Sequence, residues 1–268
     1  MLKRLPPSAW GLFLLTFCAV FANLIVPYDP FAIDLPNKLH PPNLQHWFGT
    51  DALGRDVFSR VIKASQTSLS IGLLAVLVAI GIGVPLGLIA GYKGGLTSRL
   101  IMRGSEIFLA FPPLLLPLAI TAALGRGVGL VTLAIGISWF PWYVRIARSS
   151  VLAVREQPYI TAAQAIGVGP WRMLFRHVLP NSATPVLVQA TMDFGYMILA
   201  AAALSFIGLG ARPPQIEWGL MVAESRLLFL EYWWTAAFPG LAICIAVFLI
   251  NWFGDNLRDR LDPTGEQR

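Results

Sequence analysis

The sequence is dominated by apolar blocks, each about as long as a helix that crosses the hydrocarbon core of a bilayer. Hydrophobic residues make up 56% of the chain and charged residues only 13%, against roughly a quarter in soluble domains. This pattern predicts an all-α integral membrane protein with six spans, rather than a soluble protein with a large core. The predicted spans cover residues 10–26, 69–91, 102–124, 130–147, 185–207 and 236–253.

The first apolar block has a second interpretation, a signal peptide that is cleaved off. Lys3 and Arg4 precede the block, and Val20-Phe21-Ala22 is similar to a small-residue cleavage site. The run is long for the core of a signal peptide, however, and the later blocks are equally apolar. We therefore expect an uncleaved first span.

The second block carries Gly83, Gly87 and Gly91 at every fourth position, which places them on one face of a helix. Small residues at this spacing allow the backbones of two membrane helices to approach closely. We expect this face to be a contact between helices.

The basic residues are distributed unequally between the two sides of the predicted spans. Since loops rich in lysine and arginine stay in the cytoplasm, the excess predicts membrane orientation rather than a nucleic-acid partner, with both termini cytoplasmic. The richer side holds thirteen of the twenty basic residues: Lys3, Arg4, Lys93, Arg99, Arg103, Arg145, Arg148, Arg155, Arg172, Arg176, Arg258, Arg260 and Arg268. The opposite side holds Lys38, Arg55, Arg60, Lys63, Arg126, Arg212 and Arg226.

Residues 159–180, between the fourth and fifth blocks, are too polar to lie in lipid. Their first part is Ala-rich and predicts a helix, after which Gly167 supplies a turn. Pro170 suits the first position of a second helix, and Pro180 is expected to end it. The segment is therefore predicted to be a helical hairpin on the cytoplasmic side. Its basic side chains are Arg172, Arg176 and His177.

The order of small residues in this hairpin resembles the cytoplasmic coupling loop of ATP-binding-cassette importer permeases. The shared features are Ala162-Ala163, Gly167 and the closing His177-Val-Leu-Pro180. Thr161 stands where that family has a glutamate, so a role for an acidic side chain does not carry over. The resemblance implies a loop over 155–181 that meets an ATPase through Tyr159, Ala162, Ala163, Gly167, Arg172, Arg176, His177, Leu179 and Pro180.

Three further motifs are similar to one permease subfamily, which serves dipeptide, oligopeptide and nickel importers. Residues 46–60 read HWFGTDALGRDVFSR, residues 204–219 contain LSFIGLG followed by two prolines and EWG, and residues 253–263 read FGDNLRDRLDP. Together with the hairpin, these motifs occur in the subfamily's order across residues 28–263. The chain resembles the second permease of the subfamily's heterodimeric pair.

Residues 46–60 contain several charges in a loop that is predicted to be extracytoplasmic. Gly49 and Gly54 permit turns that hold four charged side chains close together: Asp51, Arg55, Asp56 and Arg60. Two interpretations remain open, a cap whose charges pair with one another and a direct contact with a docking protein. The two are compatible.

Asp193 lies inside the fifth block, where a carboxylate is expected to face the bundle interior or a water-filled path. It is either part of a substrate pathway or a hydrogen-bonded packing residue. His40, His46 and His177 do not predict a metal site, because two of them lie in the same outside loop and the third is cytoplasmic. No metal ligands are therefore predicted.

Motifs of catalysis are missing from the sequence. It has no Gly-x-x-x-x-Gly-Lys-Ser/Thr run to cradle nucleotide phosphates, and no pairing of a nucleophile with a base. Cys18 and Cys244 both lie in apolar blocks, so no disulfide framework is expected. We expect a non-enzymatic subunit without a cofactor of its own. The resemblance implies that ATP and magnesium bind to partner ATPase subunits.

The resemblance also implies an assembly and a location. The expected partners are a second permease subunit, two ATP-binding-cassette ATPases, an extracytoplasmic solute-binding protein and the lipid bilayer, and the expected fold is that of a type I importer permease. The location would be a bacterial inner membrane. The chain is expected to divide into a first transmembrane helix with an extracytoplasmic loop (1–66), a five-helix permease core (67–256) and a cytoplasmic tail (257–268).

The substrate class is open at this point. Peptide import is the leading prediction, because peptide systems are the broadest users of the subfamily. Import of nickel or a nickel–chelator complex is the closest alternative, since residues 28–36 and 45–47 resemble nickel permeases. Two further hypotheses are a membrane scaffold without transport and a proton-coupled carrier that uses Asp193 or Glu106 as a relay.

Overall fold

The computed structural model describes residues 6–261, and within that range the protein is helical, without a β-sheet. The first half forms α1 (Pro7–Val20), α2 (Ala22–Ile25), α3 (Val57–Lys93), α4 (Gly95–Leu109) and α5 (Leu115–Leu124). The second half forms α6 (Val128–Arg155), α7 (Pro158–Ala165), α8 (Pro170–Arg172), α9 (Leu179–Phe206), α10 (Trp218–Ser225) and α11 (Trp234–Leu261). Lys3, Arg4, Pro263, Arg268 and most of the predicted tail lie outside the described residues.

Four helices of the described chain are long and apolar enough to cross a membrane. They are α3, α6, α11 and the continuous run Met173–Phe206 that ends with α9. These helices contain the predicted second, fourth, fifth and sixth spans almost completely. The shorter apolar helices α1 and α5 overlap the first and third predicted spans. The prediction of an all-α membrane protein is confirmed.

The third predicted span is not one continuous helix. The chain leaves the helical conformation between α4 and α5, around Pro112 and Pro113. Proline has no backbone N–H, and its ring collides with the carbonyl four residues earlier, so two consecutive prolines interrupt a helix. The prediction of a single helix over 102–124 was wrong in this respect. The first predicted span is also divided, at Phe21, between α1 and α2.

Helix α3 begins well before the apolar block that predicted it. The side chain of Asp56 accepts a hydrogen bond from the backbone N–H of Ser59 at 2.7 Å, which is the usual cap of a helix N-terminus. The helix therefore begins in the loop that precedes the apolar block and continues through that block. The predicted division between residues 66 and 67 falls inside it.

The small residues of α3 allow it to pack closely on α6. A Cβ atom added at Gly83 would lie 2.5 Å from the Cβ of Tyr143, and one added at Gly91 would lie 2.7 Å from the Cβ of Val151. Gly87, between them, is equally crowded. Larger residues at these positions would push the two backbones apart. The predicted contact between helices is confirmed.

The main core lies where α3, α6 and α9 meet, and it includes Ile71, Ile135, Tyr143, Met197 and Leu204. A second apolar cluster connects α10 and α11 to the beginning of α3. Two indole groups fix this second cluster: Trp218 donates to the carbonyl of Val61 at 2.9 Å, and Trp234 donates to that of Thr50 at 3.1 Å. The loops at this end of the bundle are therefore held in place.

The run into α9 contains a π-helical turn, Met173–Val178. Pro180 follows this turn without ending the helix, so the prediction that it stops the hairpin's second helix was wrong. A wide π turn just before the proline relieves the collision that its ring makes in a regular α-helix. The side-chain amide of Asn181 also donates to the carbonyl of His177 at 2.6 Å. The second arm of the hairpin is thus continuous with a membrane-spanning helix.

Candidate functional site

Residues 155–181 form a helical hairpin, called the coupling hairpin below, at the end of the bundle where α3 and α6 terminate. The Ala-rich segment forms α7 as predicted, and the chain returns through α8 and the π turn. The buried apolar side chains of the two arms pack against Leu88 of α3 and against Val151 and Val154 of α6. Those side chains are Ile160, Ala163, Met173, Leu174 and Val178.

The turn of the coupling hairpin depends on Gly167. Its φ angle is +80°, in the left-handed region that favours glycine. The N–H of Gly167 donates to the carbonyl of Gln164 at 3.0 Å, and the N–H of Val168 donates to that of Ala163 at 3.1 Å. This pair of bonds is the Schellman ending of a helix. A Cβ atom at Gly167 would meet nothing within 4 Å, so the backbone angle, not crowding within the chain, requires glycine.

The base of the coupling hairpin is held by Arg155, the last residue of α6. Its Nη1 donates to the carbonyls of Gly91 and Tyr92 at 2.9 and 2.8 Å. These carbonyls belong to the last turn of α3, where backbone acceptors have no partner within the helix. A cation also interacts favourably with the negative end of a helix dipole. Arg155 therefore joins the ends of α3 and α6 at the base of the hairpin.

The outward side of the coupling hairpin exposes apolar and aromatic side chains. Ile166 is 83% exposed, Trp171 74% and Phe175 56%, and Tyr159 is also exposed. The rings of Trp171 and Phe175 are nearly parallel, with centroids 5.9 Å apart. This aromatic pair was not predicted from the sequence, although residues four positions apart on a helix are neighbours and the spacing of Trp171 and Phe175 is visible there.

The remaining predicted hairpin residues are divided between its two sides. Ala163 is buried against the bundle, whereas His177 and Leu179 are half-buried. The exposed members are Ala162, Arg172, Arg176 and Pro180. The outward surface thus combines an aromatic pair with two guanidinium groups, a composition suited to a protein partner.

At the opposite end of the bundle, the charges of residues 46–60 pair with one another. One oxygen of the Asp51 carboxylate accepts from the backbone N–H groups of Leu53 and Arg55 at 2.8 and 3.0 Å. The other accepts from Nε of Arg55 at 2.7 Å and from Nη1 of Arg60. Asp51 is only 8% exposed and Arg60 only 3%. Charges buried to this degree are stable only with partners.

Glu224 of α10 completes this network, and the sequence analysis missed it. Its Oε2 lies 3.1 Å from Nη2 of Arg60 and 3.4 Å from Nη2 of Arg55. We call residues 46–60 together with Glu224 the charged cap. The cap connects the beginning of α3 to α10 and, through it, to the last span.

The two glycines of the charged cap have positive φ angles, +72° at Gly49 and +76° at Gly54. A Cβ atom at Gly54 would overlap the carbonyl oxygen of Asp34, so the loop closes tightly there. Asp56 caps α3 and also lies 2.9 Å from Nδ1 of His46. This geometry favours the interpretation of a cap whose charges pair internally. A contact with a docking protein stays a prediction.

Asp193 lies in α9 with its side chain inside the bundle, 6% exposed. Nε2 of Gln189 donates to its Oδ1 at 3.0 Å. Tyr143 and Trp139 of α6 lie beside the carboxylate. However, Oδ2, the Tyr143 hydroxyl and the Trp139 indole N–H have no well-formed hydrogen bond. The interior position agrees with the expectation for a carboxylate in a membrane span. A role in the substrate pathway stays a prediction.

Glu217, in the loop before the last span, is also fully buried. Its two oxygens accept from the backbone N–H groups of Gly219 and Leu220, both at 2.9 Å, and so cap α10. Burial raises the pKa of Glu217, because the ionised carboxylate loses its hydration. The hydrogen bonds from Gly219, Leu220 and the hydroxyls of Ser205 and Ser68 lower the pKa in part.

The family described as "Binding-protein-dependent transport system inner membrane component" matches residues 83–264, more than half of the chain. The chain belongs to this family.

Curated relatives of the permease match nearly its whole length. It is 46% identical to the probable D,D-dipeptide transport permease of Escherichia coli, over 98% of this chain and 89% of that protein. It is 44% identical to a dipeptide transport permease of Alkalihalophilus pseudofirmus, over 98% and 87% of the two chains. It is 42% identical to a glutathione transport permease of Pectobacterium atrosepticum, over 95% and 86%.

Solved structures of transporters share the fold of the permease. An inward-facing structure of the MetNI methionine ABC transporter matches with a TM-score of 0.63, over 76% of this chain and 97% of that chain, at 16% identity. An amino acid ABC transporter crystallised with histidines matches with a TM-score of 0.58, over 76% and 95%, at 17% identity. These matches confirm the predicted fold of an importer permease.

The family assignment also shows that the chain itself is not an enzyme. A permease subunit is the non-catalytic, multi-pass membrane component of an ABC transporter, as the sequence analysis predicted. Among the residues that the structure describes, no three His, Cys, Asp or Glu side chains lie close enough to hold a metal ion.

Proposed function

We propose that this permease carries di- and oligopeptides into a bacterial cell, as one of two permease subunits of an importer. In this proposal a solute-binding protein delivers the peptide, and two ATP-binding-cassette ATPases bind ATP and magnesium. The peptide class is supported by the relatives, whose names specify D,D-dipeptides, dipeptides and the tripeptide glutathione. Nickel import has no such support among them.

The main support for coupling to an ATPase is the exposed Trp171–Phe175 pair of the coupling hairpin. Two large aromatic side chains that are 74% and 56% exposed outside the apolar blocks are unusual unless a partner covers them. Aromatic residues and arginines dominate the binding energy of protein interfaces. In the proposed complex, the pair enters a groove of one ATPase subunit, and Arg172 and Arg176 contact the rim.

The coupling hairpin is connected so that its movement reaches three spans. Arg155 and the buried apolar cluster join it to the ends of α3 and α6. Its second arm continues without interruption into α9, which carries Asp193. Closure of the ATPase dimer on ATP would therefore shift these helices together. We propose that this shift alternates the pathway between its inward-open and outward-open states.

The proposed orientation puts the coupling hairpin in the cytoplasm and the charged cap outside the inner membrane. Eight of the basic residues assigned to the cytoplasm lie in or near the hairpin end of the bundle: Lys93, Arg99, Arg103, Arg145, Arg148, Arg155, Arg172 and Arg176. Such an excess is typical of cytoplasmic loops. Both termini would then be cytoplasmic.

Uptake measurements test the proposed substrate. Cells with and without the gene would be given labelled dipeptides and, in parallel, radioactive nickel. We expect peptide uptake to depend on the gene and on ATP. Gene-dependent nickel uptake without peptide uptake would contradict the substrate class but leave the fold and the coupling hairpin in place. Uptake that survives ATP depletion and collapses with the proton gradient would contradict ATP coupling.

Co-purification tests the proposed ATPase contact. In the double variant Trp171→Ala/Phe175→Ala, we expect the ATPase subunits to be lost from the purified permease, while insertion into the membrane is unchanged. Trp47→Ala is a matched control, because Trp47 is 60% exposed but lies in the charged cap, at the opposite end of the bundle. Retention of the ATPase at the same level in both variants would contradict the assignment of the hairpin.

A further inference from the structure

A cleft on the hairpin side of the bundle is lined by arginines that the proposed transport mechanism does not use. It lies between α4 and the last two turns of α6, beside the end of α3, and encloses about 570 Å³. Three guanidinium groups face a single carboxylate in this cleft. Its polar lining consists of Ser98, Arg99, Arg103, Glu106 and Arg148.

The positive charge of the cleft is poorly compensated within the chain. Glu106 contacts Arg103 at 3.4 Å, but the two side chains are 43% and 79% exposed, and surface pairs of this kind contribute little. Nε of Arg148 donates to the hydroxyl of Ser98 at 2.9 Å, which fixes the orientation of its guanidinium. Arg99 has no ion pair among residues 6–261. The cleft therefore presents three guanidinium groups to an anion, of which that of Arg148 is held in place, and a guanidinium can bind phosphate through two parallel hydrogen bonds.

The helix that carries most of these residues also has an exposed apolar face. Leu96, Leu100 and Ile107 of α4 are 66%, 63% and 65% exposed. Because successive residues of a helix are about 100° apart around its axis, these side chains lie beside the face of Arg99 and Arg103. A helix with adjacent apolar and basic faces is typical of the boundary between lipid headgroups and acyl chains.

The position of the cleft along the bundle agrees with this boundary. The cleft begins at the end of α3, where the apolar span is followed by Lys93 and the turn at Gly94. On α6, one turn before Arg148, the guanidinium of Arg145 lies 5.9 Å from the ring of Trp142. Tryptophan and arginine are frequent anchors at a membrane surface. A cleft beside such anchors is expected at the level of the headgroups.

We propose that the cleft binds the phosphate-bearing headgroup of an anionic phospholipid, with the acyl chains along the apolar face of α4. In the proposed orientation it opens to the cytoplasmic leaflet, whose anionic lipids bind in basic pockets between transmembrane helices. The adjoining apolar face favours a lipid over a free phosphate, because a phosphate alone leaves that face uncovered. A headgroup held by Arg99 and Arg148 would connect α4 to α6.

The first test uses the complete transporter complex in lipid nanodiscs. Binding of phosphatidylglycerol is compared with that of phosphatidylcholine, by native mass spectrometry of the lipid retained after purification. The wild-type complex should retain phosphatidylglycerol selectively. Equal retention of the two lipids would overturn the proposal without any variant. The measurement does not depend on which way the chain crosses the membrane, so it is independent of the proposed topology.

The second test uses Arg99→Gln/Arg148→Gln, with Arg145→Gln as a matched control outside the cleft. A basic residue near an anionic surface contributes about fivefold to affinity, so the double variant should bind phosphatidylglycerol about 25-fold more weakly. The control, at the same level but outside the cleft, should weaken binding by no more than about fivefold. Unchanged lipid binding in the double variant would overturn the proposal. So would displacement of the lipid by millimolar glycerol phosphate, which would identify a site for free phosphate. Loss of the ATPase subunits with normal lipid binding would instead identify a protein contact and also overturn it.

Discussion

The guanidinium of Arg155 lies over the ring of Tyr92, 5.6 Å from its centroid, and donates a hydrogen bond to the carbonyl of the same residue at 2.8 Å. The two residues are the last of α6 and the next to last of α3. One side chain therefore closes the end of its partner helix and fixes the base of the coupling hairpin. The contact makes the base of the hairpin rigid, as the proposed lever action requires.

Removal of this contact should loosen the hairpin. Arg155→Ala leaves the carbonyls of Gly91 and Tyr92 without their donor, and we expect the free energy of unfolding to fall by about 1 kcal/mol. The thermal unfolding of the purified permease, without the ATPase subunits, measures this change. Arg176→Ala, on the exposed side of the same hairpin, serves as control and should change stability by less than about 0.5 kcal/mol. Equal effects would show that Arg155 has no special role.

The charged cap should be sensitive to the loss of either partner of its buried pair. Asp51→Asn leaves the guanidinium of Arg60 buried with only Glu224 to balance it, and we expect a loss of about 3 kcal/mol. Asp51→Asn/Arg60→Met should be less destabilised than the sum of the two single variants, because no unpaired charge remains. The free energies of unfolding of the single and double variants are measured by chemical unfolding of the purified permease.

Asp29→Asn is a suitable control for this comparison. Asp29 belongs to the same loop, but it is exposed, and within residues 6–261 its carboxylate accepts only from the backbone N–H of Phe31. We expect it to change stability by less than about 0.5 kcal/mol. If Asp51→Asn were as mild as this control, the charges of the cap would not be structural.

Glu217 should make the stability of the permease depend on pH. Because its pKa is raised in the folded state, the folded chain holds the proton more tightly than the unfolded chain. The stability that the protonated Glu217 contributes is complete below the usual carboxyl pKa of 4.5. It is lost as the pH rises towards the higher pKa that Glu217 has in the folded chain. Unfolding measured from about pH 5 to about pH 8 should therefore show a decline that Glu217→Gln reduces.

The exposed Glu231, in the same loop, provides the control for this pH dependence. Glu231→Gln should leave the slope of stability against pH as it is in the wild type. A wild-type slope that persists in Glu217→Gln would mean that another group titrates, and the assignment to Glu217 would be wrong.

The sequence predicted the elements that depend on local patterns. The Gly83–Gly87–Gly91 face, the Ala-rich helix of the hairpin and the turn at Gly167 are each encoded within a few residues of one another. Their physical requirements, close backbone approach and a positive φ angle, are met by residue type alone. The family motifs then gave the fold, which the solved structures share.

What the sequence did not reveal depends on distant partners or on competing local effects. Glu224 meets Arg60 across 164 positions, and no spacing in the chain signals such a pair. Pro180 was expected to end a helix, but the π turn before it accommodates the ring. The helix break at Pro112 was predicted as part of a span, because an apolar composition alone does not distinguish one long helix from two short ones.

The two glycines of the coupling hairpin differ in backbone conformation. Gly167 has a φ angle of +80°, whereas Gly169 does not have a positive φ, and neither has any atom within 4 Å of an added Cβ. Gly167→Ala therefore forces an L-residue into the left-handed region at a cost of about 1–2 kcal/mol, and Gly169→Ala does not. We expect ATP-dependent uptake and substrate-stimulated ATP hydrolysis to fall severalfold in Gly167→Ala, with normal membrane insertion, and to stay near wild type in Gly169→Ala. Since the two positions are equally open and only two residues apart, a difference between the variants would isolate the backbone angle as the cause. Wild-type uptake in Gly167→Ala would show that the hairpin turn tolerates strain and does not act as the lever between the ATPase and the spans.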